Sequence, residues 1–133
     1  MWPGRFENVA KATEVYEEIA LPYTIYLFSY GTLQQDNVQL ASFGRLLKGE
    51  DDAMPGYKIS MLEITDPEVV ATSGERFHPI VEASADPADS VAGKVFEVTK
   101  EELDAADRYE VADYKRVSVR LSSGKEAWVY IKA

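Results

Sequence analysis

The sequence lacks cysteine altogether and contains a single histidine, His78. Without cysteine, a disulfide framework, thiol catalysis and thiolate metal sites are excluded. The one histidine would have to serve any serine–histidine pair, and no Gly-x-Ser-x-Gly turn is present, so we interpret it as structural or exposed. The acidic run 50–52 is typical of a solvated surface. A P-loop and a dinucleotide glycine fingerprint are also missing. We therefore expect no metal ion and no cofactor.

Positive charge and long apolar runs are both scarce. Fourteen Lys and Arg stand against 23 Asp and Glu, which gives a net charge of −9. Such a surface repels phosphate backbones, so we expect no nucleic-acid partner. Apolar runs stay well below the roughly 18 residues of a membrane span, and the first residues lack the apolar core of a secretory signal. We predict a cytoplasmic protein with no membrane contact.

The 133 residues, 46% of them hydrophobic, match one ordinary globular domain with an extra segment at its N-terminal end. Residues 1–22 are predicted to form a helical extension that ends at Pro22, because their apolar residues recur at helical spacing. Residues 23–133 are predicted to form the domain. The extension could dock on the domain, pair with a partner chain or be a loose arm. The oligomeric state is open.

Within the domain, residues 23–30 are rich in β-branched and aromatic types and apolar on both faces, which predicts a central strand. A helix is predicted from Asp36 or Asn37 to about Leu47, with Leu40, Phe43 and Leu47 on its buried side. Residues 48–55 are predicted to be a turn-rich acidic tract and residues 66–75 a loop. Alternation predicts further strands over residues 56–64, 77–83, 91–98, 114–121 and 125–132.

A capping box marks the start of the last helix, since Thr99 is followed three residues later by Glu102. This helix is predicted to run to about Tyr109. The last two strands form a hairpin around residues 122–124, and their pattern leaves open whether Tyr130 faces a cavity or solvent. Many short strands with two or three flanking helices predict an α+β domain, mainly antiparallel, whose sheet curls into a small β-barrel.

Two segments could carry chemistry. At Gly31 a strand turns into a helix, and glycine there permits close backbone approach to a ligand, although a plain turn has the same pattern. At the end of the last helix, Glu110 lies about 20° from Leu103 on a helical wheel with 100° per residue. A carboxyl on this apolar side gains a raised pKa and becomes a candidate proton shuttle. Asp107 lies within about 40° of the same direction, so periodicity does not choose between the two acids. A frayed helix end with solvated acids is the alternative.

Read together, the segments resemble the γ-glutamylcyclotransferase-like superfamily, particularly its AIG2-like and short bacterial branch. The resemblance covers roughly residues 25–133 and rests on five pieces in that family's order. They are Tyr-Gly-x-Leu at 30–33, His-Pro-Ile-Val at 78–81, Val-Ala-Gly-Lys-Val-Phe-Glu-Val at 91–98, Asp-x-Tyr-Glu at 107–110 and Tyr-x-Arg at 114–116. One departure is Val111, where many relatives have glycine after the glutamate.

The resemblance implies a barrel-centred fold with a cavity and assigns roles to particular residues. The backbone of the turn would hold the γ-glutamyl group of the substrate, and Glu110 would be the acid/base. The turn residues concerned are Tyr30, Gly31, Thr32 and Leu33. Tyr114 and Arg116 are candidate supporting residues, with pairing of Arg116 to an acid of the helix end as the structural alternative.

The implied reaction needs no cofactor. The α-amine of a γ-glutamyl compound attacks its own γ-carbonyl carbon, closes a 5-oxoproline ring and releases the other amine. The implied partner is thus a small γ-glutamyl molecule, and the amine attached to it is open. Two alternatives are a non-catalytic small-molecule-binding domain that keeps the pocket and an interaction domain that uses residues 1–22.

Overall fold

The computed structural model of the protein describes residues 24–133, so the predicted extension over residues 1–22 lies outside the described residues. The strands are β1 (Ile25–Ser29), β2 (Gly49–Pro55), β3 (Tyr57–Glu63), β4 (Phe77–Ala83), β5 (Ser90–Val98), β6 (Tyr114–Arg120) and β7 (Glu126–Lys132). The helices are α1 (Asp36–Phe43), α2 (Pro67–Ser73) and α3 (Lys100–Tyr109), with a short 3-10 turn at Thr32–Gln34. No helix of this part of the chain is long and apolar enough to cross a membrane.

Five strands form a mixed sheet in the order β2-β5-β1-β7-β6, and β3 and β4 form a separate antiparallel pair. Neighbours in the large sheet are antiparallel except β1 and β7, which run parallel with Leu27 opposite Trp128. The predicted central position of β1 is confirmed. Leu27 and Phe28 point to opposite faces of the sheet and are only 0% and 1% exposed, so both faces are covered.

The α+β class is confirmed, but within residues 24–133 no closed barrel is found. Closure needs a continuous ladder around the sheet, whereas β2 and β6 are its two edges. These edges approach each other at one end, where the Ser122 N–H, just after β6, donates to the Ala53 carbonyl of β2 at 2.9 Å. The sheet therefore curls strongly without closing.

The large sheet separates two apolar cores. On one face the helices cover Leu27 and Phe96, with Leu103 and Ala106 of α3 among the buried contacts. On the other face Phe28 packs with buried residues of β2, β4, β5 and β7. The turn that follows β1 emerges between these two cores, and the end of α3 reaches the same place.

Helix α1 is shorter than predicted and buries a different face. It ends at Phe43 because Gly44 follows with φ 74°, a left-handed conformation that stops a helix. Its buried residues are Val38 and Gln39, whereas Leu40, predicted to be buried, is 53% exposed. The prediction for Leu40 is wrong because a two-turn helix buries only a narrow stripe.

The side chain of Gln39 explains why a polar residue takes the buried position. Its amide Nε2 donates to the Leu33 carbonyl at 2.9 Å, and its Oε1 accepts from the Leu47 N–H at 2.9 Å. Gln39 thereby ties the 3-10 turn to the segment after α1. Phe43 and Leu47 are partly buried against the core, as predicted, but Leu47 lies after α1 and not on it.

Two segments predicted to lack regular structure form elements. Most of residues 48–55 lie in β2, which pairs residue by residue with β5 and turns its acidic side chains to solvent. Within residues 66–75 lies α2, capped by the Asp66 carboxylate, which accepts from the Glu68 and Val69 N–H groups. Pro67 opens α2 and Gly74 closes it with φ 77°, the usual start and stop signals of a helix.

Candidate functional site

A pocket opens where the end of β1, strand β4 and the end of α3 meet, and it encloses about 300 Å³ counting its open mouth. It brings together the predicted catalytic residue and all four predicted binding residues, together with Tyr114. These lining residues are Tyr30, Gly31, Thr32, Leu33, Glu110 and Tyr114. Arg116 does not line the pocket.

The turn after β1 lines the pocket and leaves two of its backbone N–H groups without an acceptor among residues 24–133. Gly31 N–H donates to Ser29 Oγ at 3.2 Å, and Gln34 N–H donates to the Gly31 carbonyl at 3.1 Å. The N–H groups of Thr32 and Leu33 have no acceptor within residues 24–133, as expected for the first residues of a helical turn. They are free to donate to a ligand.

Gly31 leaves little room for a side chain at this turn. A Cβ atom on Gly31 would lie 3.0 Å from Pro79 Cγ, which belongs to β4 and also lines the pocket. Proline and glycine thus allow the turn and β4 to approach closely. The close approach brings two lining segments of the pocket together.

Glu110 directly follows α3 as its C-cap residue. Its N–H donates to the Ala106 carbonyl at 3.1 Å, while its own backbone is extended, with φ −74° and ψ 139°. Its carboxyl receives no hydrogen bond from any group of residues 24–133. Burial disfavours the charged form and raises the pKa of Glu110 to about 8. The carboxyl is therefore largely protonated at neutral pH and can exchange its proton with a ligand.

Asp107, the other candidate acid, is engaged elsewhere. Its Oδ1 lies 2.9 Å from Arg116 Nε in an ion pair and accepts from the Tyr130 hydroxyl at 2.6 Å. The guanidinium of Arg116 also lies 4.5 Å from the centre of the Trp128 ring. The structure therefore separates the two acids that periodicity left equivalent: Glu110 lines the pocket, and Asp107 is part of an ion pair beside it.

Tyr130 and His78 line the pocket although neither was assigned to the site from sequence. Tyr130 is buried, which resolves the choice between cavity and solvent. His78 is 3% exposed, and burial lowers the pKa of its imidazole. The alternation of β4, with exposed Phe77 next to buried His78, is the signal in the sequence that points His78 inward.

A buried set of polar side chains lies behind the turn. The hydroxyls of Thr32 and Tyr109 are 2.7 Å apart, which links the turn to the last residue of α3. Ser73 Oγ lies 3.1 Å from His78 Nε2. These contacts fix the turn, α2 and α3 relative to one another. Among the described residues, no group of three potential metal-ligating side chains is found.

Comparison with known proteins identifies a family. The family model "Gamma-glutamyl cyclotransferase, AIG2-like" matches residues 27–133. No curated protein matches the chain.

Solved structures share the fold at low sequence identity. A protein from Arabidopsis thaliana is 23% identical with a TM-score of 0.64, over 84% of this chain and 64% of that one. A γ-glutamyl cyclotransferase is 16% identical with a TM-score of 0.60, over 84% of this chain and 68% of that one. An allophanate hydrolase from Kluyveromyces lactis is 15% identical with a TM-score of 0.63, over 84% of this chain and 18% of that one. This chain therefore spans about two thirds of the length of the first two.

Proposed function

The chain belongs to the AIG2-like γ-glutamyl cyclotransferase family, and we propose that it releases 5-oxoproline from a γ-glutamyl amine or peptide with Glu110 as the acid/base. The single observation that carries this proposal is the carboxyl of Glu110, half-buried in the pocket that Thr32 and Leu33 also line, with its pKa raised to about 8. A cysteine-free chain also fits the reducing cytoplasm as the location of the reaction.

The proposed reaction is an intramolecular displacement. The lone pair of the α-amine forms a bond to the γ-carbonyl carbon, and the carbonyl oxygen takes up negative charge. The oxyanion then collapses, the bond to the leaving nitrogen breaks, and that nitrogen takes a proton. Both reacting groups belong to one molecule, so folding the substrate into the attacking conformer provides much of the acceleration.

Glu110 would move two protons in this sequence. As a carboxylate it takes one proton from the α-ammonium before the attack and a second from the same nitrogen after it. As a carboxylic acid it passes each proton to the leaving nitrogen, which departs as an ammonium, so Glu110 ends as it began. A pKa near the working pH suits a group that must both accept and donate. Binding of the ammonium beside Glu110 favours its charged form, so the substrate itself prepares the base.

The backbone of the turn would supply hydrogen-bond donors to the substrate. The N–H groups of Thr32 and Leu33 can hold the α-carboxylate or the developing oxyanion, because no protein acceptor within residues 24–133 takes them. Pro79 keeps the turn and β4 close, so a γ-glutamyl group can contact both. Tyr30 and Tyr114 support the wall of the pocket beside Glu110.

A second candidate function is a domain that binds a small molecule without converting it. The observation that favours it is the occurrence of this fold within an allophanate hydrolase, a far longer protein. A fold shared with a protein named for a different reaction does not by itself define the reaction. A pure binder of an anionic group gains nothing from a buried carboxyl, which is why we prefer the enzyme.

Release of 5-oxoproline from a panel of substrates tests the proposal. The panel comprises γ-glutamyl amino acids, γ-glutamyl amines, γ-glutamyl-ε-lysine and glutathione, each with the full chain. We expect release from one class by wild type and a loss of about 10²-fold or more in the Glu110→Gln variant. Glu101→Gln makes the same chemical change on an exposed residue of α3 and should keep wild-type activity. Equal rates in wild type and Glu110→Gln would remove Glu110 from the mechanism.

A further inference from the structure

Three tyrosines that line the pocket donate their hydroxyl protons in hydrogen bonds to acceptors of the protein. Tyr30 donates to the Tyr130 carbonyl at 2.6 Å, and Tyr114 donates to the Pro79 carbonyl at 2.9 Å. Tyr130 donates to Asp107 Oδ1 at 2.6 Å. A phenol carries one proton and two lone pairs. Because the one proton of each hydroxyl is already donated to a protein acceptor, the oxygen can only accept a hydrogen bond from a ligand.

The three tyrosines line the same pocket as Glu110. The charge of Glu110 contributes to raising the pKa of Tyr30, Tyr114 and Tyr130, and burial is the largest cause for each phenol. All three therefore stay protonated and keep donating to their protein acceptors. No Lys or Arg is among the described residues that line the pocket. We call the oxygens of Tyr30, Tyr114 and Tyr130 the acceptor wall.

Tyr130 is held in its accepting state by two residues outside the pocket. The Tyr130 hydroxyl donates to Asp107 Oδ1, so its single proton is used in that contact. Arg116 binds the same carboxylate through Nε at 2.9 Å and Nη2 at 3.2 Å. This two-point contact fixes the orientation of Asp107 and leaves the Tyr130 lone pairs for a ligand.

We propose that the acceptor wall binds a primary ammonium group, and that Asp107 and Arg116 are positioning residues that hold Tyr130 as an acceptor. A primary ammonium has three N–H donors and no lone pair, which complements oxygens that can only accept. The proposal deepens the proposed function and rests on it, because it names the atoms that receive the α-ammonium of a γ-glutamyl substrate. It also predicts that N-acylated γ-glutamyl compounds are rejected, since an amide has lost the charge and two of the donors.

Calorimetry with two small probes tests the acceptor wall. L-Glutamate and glutarate have the same carboxylates and differ in the α-ammonium, and neither has a leaving amine, so binding is measured without turnover. We expect wild type to bind glutamate at least tenfold more tightly than glutarate, as hydrogen bonds to a charged group imply. Tyr130→Phe and Tyr114→Phe should each weaken glutamate binding about tenfold and change glutarate binding less than twofold. Tyr26→Phe, half-buried in β1 and outside the pocket lining, should change neither.

The positioning role has its own test. Asp107→Ala removes the acceptor, so the Tyr130 hydroxyl can turn and donate, and the preference for glutamate should fall. In the Asp107→Ala background, Tyr130→Phe should then cost little more, because both changes remove the same accepting oxygen. Fully additive losses in the double variant would contradict the positioning role.

The outcomes of these experiments separate the acceptor wall from the proposed function. Equal losses for both probes in the Phe variants would indicate a structural role and overturn the acceptor wall, as would an unchanged preference. Absence of a preference in wild type, including failure to bind either probe, also overturns it. A clear preference without any release of 5-oxoproline would leave the acceptor wall standing and refute the proposed function. Release of 5-oxoproline, combined with a preference for glutamate that the Phe variants leave unchanged, would support the proposed function and overturn the acceptor wall.

Discussion

Glu110 carries a carboxyl whose pKa burial raises to about 8, against 4.5 for an ordinary glutamate. The folded protein therefore binds a proton more tightly at this position than the unfolded chain does. Between pH 4.5 and about 8 the native state holds more protons, so the contribution of Glu110 to the free energy of unfolding falls as pH rises through that interval. Above about pH 8 the contribution is constant and unfavourable, because a charged carboxyl lies in the pocket.

The size of the effect follows from the pKa difference. At about 1.4 kcal/mol per pH unit, the interval sets an upper limit of about 5 kcal/mol. Water at the open mouth of the pocket reduces the penalty on the charged form, and we expect about 3 kcal/mol. Glutamine does not titrate. The free energy of unfolding of Glu110→Gln, taken relative to wild type at the same pH, should therefore increase by about 3 kcal/mol between pH 4.5 and pH 8.5.

Urea unfolding of the two proteins between pH 4.5 and 8.5 measures this directly. Other titrating groups shift both proteins alike, so the difference between wild type and Glu110→Gln isolates the one carboxyl. Glu101→Gln, exposed on the same helix, should show a nearly constant difference from wild type. A difference in unfolding free energy between wild type and Glu110→Gln that stays constant with pH within about 0.5 kcal/mol would falsify the burial argument.

Three further substitutions test the geometry. Gly31→Val puts a Cβ 3.0 Å from Pro79 Cγ and narrows the pocket, so calorimetry should show at least tenfold weaker L-glutamate binding; unchanged binding would remove the turn from the site. Gly93→Ala would place a Cβ in steric overlap with the Ser29 carbonyl oxygen, and urea unfolding should show a loss of about 1–3 kcal/mol, with no loss contradicting the close approach of β5 and β1. Asp66→Ala removes the N-cap of α2 and should cost about 1 kcal/mol, which a stability within error of wild type would contradict.

Local sequence patterns predicted most strands and two of the three helices within residues 24–133, although the end of α1 was placed too late. Strand β4 has the predicted bounds, Phe77–Ala83, because its alternation and flanking turns are unambiguous. The capping box of Thr99 and Glu102 is present as predicted, with both reciprocal hydrogen bonds. These features depend on residues within a few positions of one another, so the sequence alone contains the information.

The wrong predictions concern elements whose stability comes from elsewhere in the chain. Strand β2 is too acidic to be predicted as a strand, yet it pairs along its whole length with β5, and Lys94 Nζ of β5 lies 2.8 Å from its Asp51 carboxylate. Helix α2 has capping signals at Asp66, Pro67 and Gly74, but its seven residues are too few for a clear helical period. The predicted barrel is not confirmed for a related reason, since strand count and alternation do not determine whether the edges of a sheet pair.

The choice between Asp107 and Glu110 shows the same division between local and distant information. A helical wheel treats both as positions on one helix, whereas α3 ends at Tyr109 and Glu110 has an extended backbone, so the wheel does not describe Glu110. What distinguishes the two acids is a partner: Arg116 of β6 and the Tyr130 hydroxyl of β7 occupy Asp107. That pairing depends on how α3 packs beside the last hairpin, which no spacing within α3 specifies. The Tyr130 hydroxyl donates to Asp107 for the same reason, so its hydrogen-bonding role depends on the tertiary fold.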